Sequence, residues 1–280
     1  MIGSHDRQAA LMPAITGRVT THDSLDAIRA TYDDLDGWHA RGQKMPPEQP
    51  ERGSLLAADD AVFYWHNISE TARLSLLNSG EHLRLAKTAI EAHQVYPSAH
   101  FTVMRTALVC AAQAVWILAP SEAAERQERG LILMGEMYDQ LGKYDSEQMT
   151  QSLSTDEKKE ISDHIDWCKT RHDQVMAARR TESQFNQTAT IAWALDHRFP
   201  DSRRRGSGRL LWRQMSSDAH GLAWGVYQRG STLKADRRSE LGVGMSGGGL
   251  EYIADAFAAI HQLLKEGWSL FDRLCEAPRP

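Results

Sequence analysis

From Leu25 onward, apolar residues return every three or four positions for most of the chain, the spacing of one buried helix face. LDAIRATYDDLDGWHA (25–40) predicts a first helix behind Asp23 or Ser24 as cap. The proline-rich KMPPEQPERGS (44–54) interrupts it. The pattern resumes at Leu55 and runs to about His93, with Asn78-Ser79-Gly80 as the place for a kink or split. YPSAH (96–100) reads as a turn with Ser98 as cap, and HFTVMRTALVCAAQAVWIL follows as the most apolar helix, expected at the centre and closed by Pro120.

Two further helices are predicted over 122–144 and 155–180, the second opening on Thr155 and two acidic residues, as the helix dipole favours. QTATIAWALDHRF (187–199) is shorter, FPDSRRRGSG is expected as a loop, and the next helix covers about 207–228. The glycine-rich 229–249 segment is weakly patterned, a long loop with room for a short hairpin. A last helix carries apolar residues at 253, 257, 260, 264, 268 and 271. There is no strand run of consequence and no internal repeat. The expected fold is therefore all-α, a helical bundle with an N-terminal helical extension, most simply one domain over 21–280. Residues 1–20 are set aside as a disordered terminus, in which GSH at 3–5 has the form of a vector-derived remnant.

Composition changes this picture little. The chain is long enough, at 280 residues, for a sizeable core, and a net charge of −5 excludes a wholly basic surface while leaving room for a local basic site such as SRRRGSGR (202–209). Cys110, Cys168 and Cys275 lie far apart without a CxxC pair, the usage of reduced thiols in a cytoplasmic protein. The N-terminus lacks the apolar core of a secretory signal, and ALVCAAQAVWILA (107–119) is short for a bilayer span and contains Gln113, so no membrane association is expected.

The stretch LWRQMSSDAHG (211–221) holds the main candidate chemistry. At 100° per residue, Trp212, Met215, Ala219, Leu222, Ala223 and Val226 share a core face, while Arg213, Ser217, His220 and Trp224 form a second stripe. An arginine supplies bidentate charge to a phosphate, and a histidine exchanges protons near neutral pH. Trp224, a large aromatic on a polar stripe, suggests that a partner subunit or ligand covers it.

An arginine followed after four to six intervening residues by histidine on a late helix is the hallmark of the HEPN superfamily, and Arg213 and His220, with six residues between them, resemble it. RTALVCAAQAVWIL and WRQMSSDAHGLAW are similar to segments of uncharacterised, actinobacterial-type helical proteins with HEPN-like features. Such bundles commonly place Glu four residues after the earlier arginine; here Arg105 is followed by Val109. The resemblance is detailed over about 99–119 and 207–228, with the matching core taken as about 55–228 plus a C-terminal helix over 249–277. It implies a metal-independent ribonuclease acting as a homodimer, without cofactor, often within toxin–antitoxin or anti-phage systems in which an antitoxin or another protein is the partner. His220 would be the general acid or base and Arg213 the transition-state cation. Ser217 or Asp218 would orient the imidazole, with Arg105 and Trp224 as accessory residues and Arg203, Arg204, Arg205 and Arg209 as RNA contacts. A catalytically inactive interaction or nucleotide-binding protein using the same stripe is the alternative.

Other candidates are weaker. His164, Cys168 and His172 stand at i, i+4 and i+8, but the ends of that row lie about 12 Å apart, so one ion could use only a pair. With no completing pair evident, no metal is expected. His66, His82 and Trp65 could line a small-ligand pocket, although the histidines are better read as partly buried and hydrogen-bonded. GVGMSGGG (242–249) lacks the strand and Lys-Ser/Thr of a phosphate loop. Trp38, Trp65, Trp116, Trp193 and Trp268 are read as core residues.

Overall fold

Helices do dominate, and local chemistry decides where each one stops. The computed structural model describes residues 21–222, 224–227, 232–235, 242–245 and 249–279; the expectation for residues 1–20 lies outside them. The helix predicted over 25–40 is two, α1 (Thr21–Arg29) and α2 (Tyr32–Gly42). Thr31 separates them: its N–H and its hydroxyl both donate to the Ile28 carbonyl, at 3.0 and 2.7 Å, closing the last turn of α1.

The long run from Leu55 also divides, though not at 78–80. It gives α3 (Leu55–Asp60), capped by the Ser54 hydroxyl, and α4 (Ile68–Glu91). The Asp60 carboxylate accepts the Ser69 N–H at 2.8 Å and its hydroxyl at 2.6 Å, so it satisfies the exposed start of α4 and fixes the break before it. Asn78-Ser79-Gly80 stays helical because its small residues serve close packing instead of a bend. The Ser79 hydroxyl donates to the Ala107 carbonyl at 2.9 Å, and a Cβ on Gly80 would stand 4.0 Å from Leu264.

Next come α5 (Pro97–Leu118), α6 (Ala123–Gln148), α7 (Thr155–Ala178) and α8 (Gln187–Arg198). Proline opens α5 at a position where its missing N–H costs nothing. Ser154 and Glu157 close a capping box on α7. The remaining elements are α9 (Ser202–Ala219), the single turn α10 (Trp224–Tyr227), strands β1 (Thr232–Ala235) and β2 (Gly242–Met245), and α11 (Leu250–Cys275). The strands pair antiparallel with Thr232 opposite Met245, the short hairpin for which the sequence left room. The fold is an all-α bundle carrying this one small ribbon among the described residues.

The residues group into two compact units, each assembled from separate stretches of chain. The first takes in residues up to Glu48 with Ser75–Val115 and Thr188–Ser269. Its core is α5, with Phe101, Met104 and Ala111 fully buried, joined by Leu211, Trp212 and Met215 of α9 and by Ile253, Phe257, Ile260, Leu264 and Trp268 of α11. The segment Ser98–Leu118 is long and apolar enough to cross a membrane by composition, but 67% of it is buried inside the protein, as befits a core helix. The second unit takes in Gln49–Leu74, Trp116–Gln187 and Leu270–Pro280. Here α6 and α7 lie antiparallel, with Gly135 against Val175 and Gly142 against Cys168. Arg126, fully buried, pairs with Asp59 at 2.6 Å and donates to the Pro120 and Ser121 carbonyls. With its Nε and Nη1 donors answered in this way, the buried guanidinium is held in place, and removing one partner of the pair would cost about 3–5 kcal/mol.

Candidate functional site

Helix α9 starts earlier and stops sooner than its sequence pattern suggests. The expected loop SRRRGSGR is its first two turns, because the Asp201 carboxylate accepts the Arg204 N–H at 2.9 Å and caps the helix ahead of Ser202. At the other end, Gly221 takes φ +67 and the chain reverses in a Schellman turn. The Leu222 N–H donates to the Ser217 carbonyl at 2.8 Å, and the Gly221 N–H to the Asp218 carbonyl at 3.0 Å. His220 is therefore the C-terminal cap and not a mid-helix residue. The core face expected through Val226 ends with it: Trp212 and Met215 are buried, whereas Ala219 and Leu222 are exposed. Ala223 lies outside the described residues.

The turn also reassigns Ser217. It is 2% exposed, and its hydroxyl donates to the Leu222 carbonyl while accepting the Gly225 N–H at 3.0 Å. A Cβ on Gly225 would sit 3.0 Å from the Ser217 side chain, so glycine is what lets α10 fold back this closely. Ser217 holds the turn and has no hydrogen bond to the His220 ring. Asp218 is half-buried, and Trp224 is 43% exposed on α10.

Arg213 and His220 are both exposed, and neither side chain has a hydrogen-bond or ion-pair partner among the described residues. Seven residues of helix separate them by about 10 Å along the axis. Arg205, Arg209 and Arg213 recur every fourth residue, so their backbone positions follow one side of α9 at steps of about 6 Å. Asp196 of α8 pairs with Arg205 at 3.6 Å and Arg209 at 2.5 Å, partly neutralising the upper end of this row. Arg203 and Arg204 are exposed. Arg105 reaches the same helix from α5: its Nε donates to the Ser216 hydroxyl at 3.2 Å, and its guanidinium lies 4.7 Å from the Trp212 ring centre. Burial lowers the pKa of Arg105 from its ordinary value, although an arginine remains charged at neutral pH. Val109, one turn after Arg105, is buried.

The residues proposed for a small-ligand pocket have separate surroundings. Trp65 is 54% exposed, contrary to its reading as core, and the Arg171 guanidinium stacks 3.5 Å from its ring centre. His66 meets Tyr138 edge-on at 6.3 Å, and His82 Nδ1 lies 2.8 Å from the Asn78 carbonyl of its own helix. Trp268 is buried, while Trp38, Trp116 and Trp193 are half-buried. Gly242–Met245 of the glycine-rich segment is strand β2, and 246–248 lie outside the described residues.

The His164, Cys168 and His172 row gains a member that the sequence reading missed. Asp145, in the last turn of α6, accepts from His164 Nδ1 at 2.7 Å and stands 3.9 Å from the Cys168 sulfur. His172 instead faces its neighbour Asp173, at 3.5 Å. The signal was present in the glycines. Gly135 and Gly142 are seven residues apart on α6, as Cys168 and Val175 are on α7, and that antiparallel register brings position 145 opposite 164–165.

Comparison with protein-family models, with curated proteins and with solved structures finds no match to this chain.

Proposed function

We propose that the chain binds RNA along the exposed side of α9 and cleaves it without a metal ion, as an HEPN-like bundle acting as a homodimer. What supports this reading is the exposure of Arg213 and His220, with unoccupied side chains, on a helix whose same side carries Arg205 and Arg209. In the reaction, a His220 imidazole takes the proton of a ribose 2′-hydroxyl, and the 2′-oxygen attacks the adjacent phosphorus. The 5′-oxygen leaves with a proton from the second copy's imidazolium, giving a 2′,3′-cyclic phosphate and a 5′-hydroxyl. Arg213 neutralises charge growing on the non-bridging oxygens. Trp224 lies just past the helix end, where a second copy would cover it.

The test is cleavage of a labelled RNA by purified protein in EDTA, beside His220→Ala and Arg213→Ala. Cyclic-phosphate ends that drop by about 10²–10⁴-fold in His220→Ala establish the reading. Cleavage that survives both substitutions overturns it. The alternative, an inactive interaction protein, draws on Val109 standing where related bundles commonly carry Glu. It predicts RNA binding without cleavage, with the salt slope falling by about 0.7 in Arg213→Gln.

A further inference from the structure

The α6–α7 pair carries a cluster of metal-ligating side chains that the ribonuclease reading does not use. Asp145, His164 and Cys168 offer one oxygen, one nitrogen and one sulfur, all within 4.8 Å of one another. A tetrahedral zinc ion with bonds of about 2.0–2.3 Å holds neighbouring ligand atoms roughly 3.3–3.7 Å apart. Of the present spacings, 2.7 Å from nitrogen to oxygen is shorter than that range, 3.9 Å from sulfur to oxygen is slightly longer, and nitrogen to sulfur is within 4.8 Å, so the three side chains must adjust to close around an ion.

The setting argues for a cation as well. Asp145 is 6% exposed, and its side-chain partners are His164 and Cys168, with no lysine or arginine among them. A buried carboxylate is costly without a compensating positive charge, and here only a protonated His164 or a bound ion would supply one. The thiol beside it, 3.9 Å away, adds no positive charge. A divalent ion would convert thiol to thiolate and neutralise both anions. Trp167 stacks on the His164 ring at 5.3 Å and 8°, with Tyr138 edge-on behind it at 5.5 Å, so the imidazole is held in orientation. The His164 side chain is 47% exposed, so solvent reaches the cluster at the imidazole.

We propose that Asp145, His164 and Cys168 form an open three-ligand site for a zinc-class divalent ion. Sulfur and imidazole donors exclude magnesium and calcium as its natural occupants. On binding, Cys168 gives its proton to solvent. His164 presents Nδ1 to the ion and carries its N–H on the exposed Nε2, and the Asp145 oxygen that now accepts from both becomes a ligand. At least one proton is released for each ion bound.

The experiment is titration of reduced, chelator-stripped full-length protein with cobalt(II), followed by competition with zinc(II). One equivalent of cobalt is expected to produce a thiolate-to-cobalt charge-transfer band that zinc abolishes. Cys168→Ser should remove the band, and Asp145→Asn and His164→Gln should weaken uptake at least 100-fold, beyond the ~10–100-fold typical of outer-shell changes. His172→Gln and Cys275→Ser should leave both intact. A band that persists in Cys168→Ser, one that vanishes in Cys275→Ser, or no uptake by the folded wild type each overturns the proposal. Circular dichroism of each variant separates lost ligation from lost fold.

Discussion

Ser217 illustrates how one hydroxyl can override a helical pattern. The residues after it, Asp218 to Val226, still carry apolar side chains at helical spacing, yet the chain reverses at Gly221. The buried hydroxyl of Ser217 bridges the Leu222 carbonyl and the Gly225 N–H, so it joins the end of α9 to α10. Replacing Ser217 with Ala would leave both backbone groups without that partner and should destabilise the protein by about 1–3 kcal/mol. Urea denaturation would check this, and a change below about 0.5 kcal/mol would show that the turn stands without it. The same residue shows the limit of the sequence reading. Gly221, directly after His220, is a visible stop signal, but the weight of the apolar spacing beyond it hid the reversal. Arg213 and His220 were legible as lying off the core face; that His220 is the cap closing the helix was not.

At the scale of elements, the close approach of helices is set by where a Cβ is missing and what stands opposite. On α6, a Cβ at Gly135 would meet Val175 at an ordinary 3.6 Å, whereas one at Gly130 would meet Ile68 Cγ1 at 2.9 Å and Cγ2 at 3.0 Å. The same substitution should therefore act with opposite signs on one helix. Gly135→Ala should stabilise by about 0.5–1 kcal/mol through helix propensity. Gly130→Ala should destabilise by about 1 kcal/mol net, because the Ile68 atoms beside the helix must move. Denaturation midpoints of the two variants shifting the same way would contradict this account of the packing. Gly135 and Gly142, opposite Val175 and Cys168, mark the α6–α7 register that brings Asp145 to His164 and Cys168. Reading each helix singly left His164 and Cys168 without a third donor, since that donor belongs to the partner helix.

For the molecule as a whole, two partly or fully buried histidines link stability to pH. Burial lowers the pKa of His66, against a smaller upward pull from Glu70 and Asp60. Burial lowers that of His261 too, against an upward pull from Asp34, with Lys265 lowering it further. The folded chain thus binds these protons less readily than the unfolded chain. Their contribution is fully present above the ordinary histidine value of 6.5 and is lost as pH falls through the folded pKa values. The urea midpoint should accordingly be lower at pH 5.5 than at pH 7.5, and His66→Gln combined with His261→Gln should flatten that slope. An unchanged slope in the double variant would assign the dependence elsewhere. Carboxylates act in a separate, more acidic window; Glu91, held to about 2 by Arg29 and Tyr32, is one of them.

The sequence by itself determined the helices and their buried faces, because a repeat of 3.6 residues is written into the order of apolar side chains. The last helix shows this most fully: every apolar position predicted from 253 to 271 is buried. Tertiary structure decided where the helices end and which polar groups meet. The start of α4 depends on a carboxylate eight residues before it, and the end of α9 on a hydroxyl folded under a turn. The Asp145–His164 and Asp59–Arg126 pairs join residues 19 and 67 positions apart. Periodicity is a property of neighbours along the chain, whereas caps, ion pairs and ligand sets belong to neighbours in space.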